Sequence, residues 1–409
     1  MNCEFLQRVK AFATTDQNWW SNPNHQRLRR VGPMLFRKRL SLVVIVFWIV
    51  SSCGFSKAAD RLERISNKEY VPLIQRLSED PGFFDSDNLV SNEASYLQVC
   101  GLLDKLAAKG GVYLGVGPEQ NFTYIARTRP RLAILLDIRR QNQLYHLLFK
   151  FLFERSQNRS EYLANLFSRP KPRKAARPND DVRALLLQFD EAAPSERIFR
   201  KNLKDALSFF RERCQFTLND KDAGTIEGVY REFFDQQLDI RFRSFGRPSF
   251  RFYPSFKDIL LERDLNGRFG NYLNSEADFQ FIKQMHSRNL IVPVVGDFAG
   301  PRALRAVGDY LKGLGETVSV FYVSNVEFYL IQNGVFNHFA ENVQQLPISD
   351  ESLLIRAYFR FPHPERRPGY VSATLLQRVK RFLEHRQAGN YQSYQDLGLR
   401  DYLSSEEEP

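Results

Sequence analysis

Cysteine is scarce in this chain. Its 409 residues include four, Cys3, Cys53, Cys100 and Cys214, far apart and without a CxxC pair. That spacing supports neither a structural zinc site nor a disulfide framework. The six histidines form no HExxH or HxH pair, so no protein-bound metal is expected. No GxxxxGKS/T occurs, which removes the P-loop nucleoside triphosphatases. No internal repeat stands out. What is present is an ordinary globular balance, 43% apolar and 26% charged, enough for a packed core. The length allows one large domain or two ordinary ones. A formal net charge of +11 could suggest nucleic acid or an anionic membrane. The basic residues are scattered, however, and several sit near the N-terminus where targeting accounts for them. Nucleic acid is therefore not the expected partner.

Residues 1–33 are polar and irregular, and read as a disordered segment or a misassigned start upstream of Met34. Residues 34–58 read as a signal peptide or membrane anchor. Arg37, Lys38 and Arg39 precede an apolar run from Leu40 to Val50, whose only polar member is Ser41. That run is short of the about 20 residues that span a bilayer, but it suits a signal-peptide core. Val50-Ser51-Ser52-Cys53 resembles a lipobox, and Ser56-Lys57-Ala58 an ordinary cleavage site. An uncleaved anchor is the third exit, with basic flanks keeping the N-terminus inside. The expected location is exported or membrane-anchored, with membrane contact through residues 40–53. A cytoplasmic protein follows if the signal reading fails.

The organising stretch runs from Gly111 to Asn142. Val112, Tyr113 and Leu114 form a short strand that ends in Gly115-Val116-Gly117, and Pro118 suits the first turn of a helix. Pro130 closes that helix, and Ala133 to Leu136 forms a second strand ending at Asp137. Residues 60–160 thus hold N-terminal helices and a first βαβ half. Residues 161–285 read as a helical insertion with a basic, proline-rich linker at 168–181. Alternation resumes in 286–390, with strands at Leu290–Val295, Val318–Val323 and Ser352–Phe359. One helix is expected over 325–346 and a basic helix over 370–387, before a tail at 391–409. The fold class is α/β, a doubly wound, Rossmann-like sheet in which ligands sit beyond the strands' carboxyl ends.

The residues past the strands narrow the ligand. A dinucleotide fingerprint wants a third glycine where Gln120 stands, and Glu119 puts a carboxylate where a pyrophosphate would lie. The remaining set is Gly115 and Gly117, Asp137 at 22 residues beyond Gly115, Gly296-Asp297, and Ser324-Asn325. This order resembles the class I S-adenosylmethionine-dependent methyltransferases. The resemblance implies a methyltransferase-type fold that binds S-adenosylmethionine through Gly115, Gly117, Glu119, Asp137, Asp297 and Asn325. The acid that usually precedes the glycine turn is missing, since Tyr113-Leu114 stand there. The wording GVGPEQNFTYIA, DIRRQN, VVGDFAGPRALRAVGDYL and FYVSNVEFYL is also similar to an uncharacterised bacterial family known from a leptospiral representative. That resemblance covers about residues 65–360 and implies fold more than reaction.

Each site residue also has a plainer reading. The glycines serve a tight turn, Asp137 pairs with Arg139 or Arg140, and Asp297 accepts backbone N–H groups in a turn. Ser324-Asn325-Val326-Glu327 fits a helix capping box better than a catalytic group. No general base or methyl acceptor is evident. Three functions follow: a methyltransferase, a non-catalytic binding scaffold outside the cytoplasm, and, most weakly, a nucleic-acid methyltransferase.

Overall fold

The protein is described here by a computed structural model covering residues 62–106, 108–246 and 253–404. The expected irregular start, the signal or anchor with its membrane contact over 40–53, and the acidic end beyond Ser404 lie outside the described residues. Arg61–Pro409 forms one compact unit.

Helix α1 (Asn67–Leu77) starts where the Ser66 hydroxyl donates to Glu69 at 2.7 Å, and it buries Tyr70, Val71, Leu73, Ile74 and Leu77. A 3-10 turn (Ala94–Leu97) and α2 (Cys100–Lys105) lead to β1 (Val112–Gly115). Cys100 is fully buried, as its apolar helix face requires. Next come α3 (Gln120–Thr128), β2 (Leu132–Asp137) and α4 (Arg140–Arg155). Every residue of β1 and β2 is buried, which is why both read as unbroken apolar runs. The insertion supplies α5 (Arg159–Leu166), α6 (Val182–Leu187), α7 (Glu196–Ser208), α8 (Asp220–Gln236), α9 (Phe256–Leu260) and α10 (Glu276–Ser287). It is a cover rather than an appendage. Helices α8 and α10 pack on α4, so α4 is buried on nearly every side.

The sheet continues with β3 (Ile291–Val295), α11 (Ala303–Leu314) and β4 (Val318–Ser324). Then come α12 (Val326–Gln332), α13 (Phe336–Gln344), β5 (Ile348–Phe359) and β6 (Ser372–Arg378). Helices α14 (Val379–Gln387) and α15 (Tyr394–Leu399) close the chain. The six strands lie in the order β3-β2-β1-β4-β5-β6, all parallel except β6, which runs antiparallel to β5. The order reverses between β1 and β4. That switch point is where an open α/β sheet leaves a crevice for a ligand.

Two expectations need correction. The helix expected over 325–346 is two, because Gly334 takes a left-handed φ of 71° that ends α12 and turns the chain into α13. The basic helix expected over 370–387 begins as strand β6. Its Ala373, Leu375 and Leu376 are buried, and the basic residues that suggested a helix belong mainly to α14. Part of the segment expected as a tail packs onto the sheet. Leu397 of α15 is fully buried, and its carbonyl accepts a 3.0 Å bond from Arg356.

Strand β3 is an edge with a proline in its middle, which an edge tolerates where the missing N–H faces outward. The outward carbonyls of β3 and its last N–H find side-chain or loop partners. Tyr70 donates to the Ile291 carbonyl at 2.8 Å, and Gln143 to that of Pro293 at 3.0 Å. The Val295 N–H donates to Ser78 Oγ at 3.1 Å, and its carbonyl accepts from the Glu79 N–H at 3.0 Å.

Candidate functional site

The turn after β1 is built from below. A Cβ on Gly115 would fall 2.0 Å from Asn121 Oδ1 and 2.7 Å from the Tyr113 ring. Asn121 cannot retreat. Its Oδ1 accepts from Tyr113 at 2.8 Å, while its Nδ2 donates to the carbonyls of Val116 and Pro118 at 2.9 and 2.7 Å. Gly117 has a φ of 82°, which a side chain rarely adopts. Its carbonyl accepts from Asn142 at 3.1 Å and engages His146 Nε2 at 2.8 Å. Gly115 therefore serves packing, and Gly117 shapes the surface that faces the crevice.

That crevice holds a cavity of about 200 Å³ at the carboxyl ends of β1 to β4. Gly117, Asp137, Asp297 and Asn325 line it together, with Phe84, Phe242, Phe298 and Tyr329 among its aromatic walls. Gly115 and Glu119 are not among the lining residues. Glu119 lies on the opposite side of the turn and is fully buried. Its Oε2 accepts from Tyr145 at 2.8 Å, while its Oε1 has no partner. Burial, partly offset by the Tyr145 hydrogen bond, pushes its carboxyl up to about 7. An ionised acid there would have one oxygen unsolvated, so the neutral form is favoured. A carboxylate at the mouth of the site is thus not what Glu119 provides.

Asp137 pairs with Arg139, one of its two plain alternatives. Its Oδ1 accepts from the Arg139 N–H and Nε at 3.0 and 3.1 Å, and its Oδ2 from Nη2 at 3.2 Å. The same guanidinium donates to the carbonyls of Ser86 and Asp87 at 2.7 and 3.2 Å, which ties the loop before α2 to the end of β2. Asp297 Oδ1 accepts from the Ala299 N–H at 2.9 Å, as a turn residue would. Its own N–H donates to Glu79, which also accepts from the N–H groups of Arg302 and Ala303 at the start of α11.

The expected capping box at Ser324 is absent. Asn325 precedes α12 without a side-chain cap, and Ser324 has a left-handed φ of 54°. Glu327 turns away to a buried ion pair with Arg356, Oε2 to Nε at 2.7 Å. A buried pair so well hydrogen-bonded removes Glu327 from any cap.

The Ser324 hydroxyl donates instead to Glu93, a cavity-lining acid that the sequence pattern does not single out. Glu93 lines the cavity and is buried. Its Oε2 accepts from Tyr322 at 2.8 Å and Gln120 at 3.1 Å, and the Ser91 hydroxyl donates to the Gln120 carbonyl oxygen. Burial raises the Glu93 carboxyl above its usual range, against the opposing pull of Ser324, Tyr322 and Gln120. Gln120, which displaces the third glycine of a dinucleotide fingerprint, thus has a positive task. The acid absent from β1 is matched by one arriving from a polar loop, and no periodicity in DSDNLVSNE marks it.

The charged residues lining the cavity are Glu93, Asp137, Asp297 and Arg139, and Arg139 is committed to Asp137 and two carbonyls. Among the described residues of this lining, a phosphate would meet no uncommitted cation. The basic run at 168–181 is elsewhere, on a separate cleft lined by Arg169, Lys171, Arg173 and Lys174. Among the described residues no group of His, Cys, Asp and Glu could hold a metal, and no helix is long and apolar enough to cross a membrane.

The chain belongs to the DUF7790 family, a domain of unknown function whose family model matches residues 89–400. No curated protein matches it.

Proposed function

We propose that this is a protein of methyltransferase type that binds S-adenosylmethionine in the cavity at the β1–β4 switch point. The observation that carries the reading is the lining itself: three carboxylates, one committed arginine and aromatic walls. A ligand with a positive sulfonium and ammonium and no phosphate suits that charge, whereas a dinucleotide does not. The antiparallel sixth strand beside five parallel ones also suits the methyltransferase type. When bound, the cofactor would supply an activated methyl group on sulfur. Asp137 Oδ2, with one acceptor position left beside Arg139, would hold a ribose hydroxyl. Asp297, with Oδ2 uncommitted, would meet the adenine edge, and Glu93 the cationic amino-acid end. At about 200 Å³ the cavity is below the roughly 300–1,000 Å³ usual for drug-sized ligands, so part of the molecule would lie in the open mouth.

Calorimetry of the full-length chain with S-adenosylhomocysteine tests this. Asp297→Asn is the informative variant, because Asp137→Ala would also release Arg139. Micromolar binding weakened about tenfold in the variant, roughly 1.4 kcal/mol, is expected. No heat at high micromolar ligand, or unchanged affinity, would sink the reading.

A second reading is a binding scaffold outside the cytoplasm without methyl transfer. The observation favouring it is that Arg139 already takes most of Asp137's acceptor capacity. Export through residues 34–58 belongs to both readings. A reporter active only outside the cytoplasm, fused after Asp60, should be active; a silent fusion returns the protein to the cytoplasm.

A further inference from the structure

We infer that the β4–α12 side of the cavity takes a planar, uncharged aromatic molecule with a hydrogen-bonding edge, and excludes its phosphorylated counterpart. If the cofactor reading holds, this molecule is the class of methyl acceptor, and the inference rests on that reading only for the word acceptor.

Three observations point there. Phe83 lines the cavity yet is 81% exposed, the most exposed large apolar side chain among the described residues. An isolated exposed aromatic needs no explanation, but one at a cavity rim offers a face for a second ring. Beside it Phe84 meets Tyr329 of α12 edge to face, centroids 4.8 Å apart, so loop and helix together form an apolar wall.

The second observation is polar. Asn88, Asn92 and Asn333 line the same cavity, and their side-chain amides make no hydrogen bond among the described residues. Each amide both donates and accepts, so together they match a phenol, a carboxamide or a heteroaromatic edge. Asn88 and Asn92 are half-buried and Asn333 is exposed, so a ligand edge would replace water on all three. Thirdly, the charge of the lining is unfavourable to an anion. Among the described residues, Glu93 and Asp297 face the cavity without a basic partner, and Arg139 is engaged by Asp137. A phosphate would be desolvated against carboxylates with nothing to pair it. The positive net charge of the chain therefore does not extend to this site.

The test uses two probes that differ by one group: 4-hydroxybenzamide and its phosphate ester. Saturation-transfer NMR with the full-length chain, with and without S-adenosylhomocysteine, should show 4-hydroxybenzamide binding at least tenfold tighter than the ester. Phe83→Ala and Asn92→Ala should each weaken it about fivefold while leaving the unfolding midpoint in place, since Phe83 packs little. Equal or tighter binding of the ester overturns the inference, as does unaltered binding in both variants. The two readings separate cleanly. If 4-hydroxybenzamide binds and S-adenosylhomocysteine does not, the cofactor proposal falls and this one stands. If only S-adenosylhomocysteine binds, this one falls alone; if neither binds, both fall.

Discussion

The two sides of the β1–α3 turn use acids in opposite ways. On the cavity side, Glu93, Asp137 and Asp297 are all held by donors: hydroxyls and an amide, a guanidinium, a backbone N–H. On the underside, Glu119 has a single side-chain donor, and one of its oxygens has none. Imidazoles on and against α4 are equally spare. His146 Nδ1 and both ring nitrogens of His286 are buried without partners. Burial holds His146 down at about 4, so it stays neutral at ordinary pH. The difference teaches that one short motif borders two environments, a polar one that lines a cavity and an apolar one that disfavours charge on its acids and imidazoles. Reading Gly115, Gly117 and Glu119 as one binding set joins residues that the turn separates.

Two substitutions can break or sharpen that contrast. The larger effect is expected from Gly115→Ala. The new methyl would overlap Asn121 Oδ1, which three hydrogen bonds hold in place, so a loss of about 3 kcal/mol is expected. Urea unfolding measures it. A loss below about 1 kcal/mol would show that the turn relaxes, and that the underside is softer than its packing suggests.

Next is Glu119→Gln, read as a pH dependence. The folded carboxyl lies near 7, above its ordinary 4.5. Between those values the folded chain keeps a proton that the unfolded chain has lost. Its stabilising contribution is therefore full below 4.5 and disappears as pH rises through 7. Relative to the glutamine variant, the wild type should lose about 2–3 kcal/mol between pH 5 and pH 8. Taking the difference removes His146, whose depressed value acts in the opposite direction at lower pH. A flat difference would mean that Glu119 is solvated, and the contrast with the cavity side would vanish. The tenfold binding change expected for Asp297→Asn is the smallest of these effects, and it tests the cavity side alone.

Much of the fold is legible in the chain. Strands β1 to β4 announce themselves as apolar runs cut off by glycine or proline, and their order of appearance implies a parallel, doubly wound sheet. Strand β6 hides because the basic residues of α14 follow it directly, and a buried strand in contact with a charged helix has no period of its own. Four of the six expected site residues do share one cavity. The others miss it for a geometric reason: Gly115 is spent on packing, and the side chain after Pro118 points beneath the turn. Glu93 was illegible because its role depends on contacts such as that with Ser324, 231 residues away. Only the closed sheet brings the two together.

The sealed edge of β3 carries a lesson about where the folding unit begins. Its outward carbonyls and its last N–H are satisfied partly by Tyr70, Ser78 and Glu79, all upstream of the region that the family model matches. Without them the sheet would end in a bare parallel ladder, able to recruit a strand from another chain. The boundary of resemblance and the boundary of self-sufficiency therefore differ. The residues before Leu89 act as a selvedge, the woven border that keeps the sheet from growing.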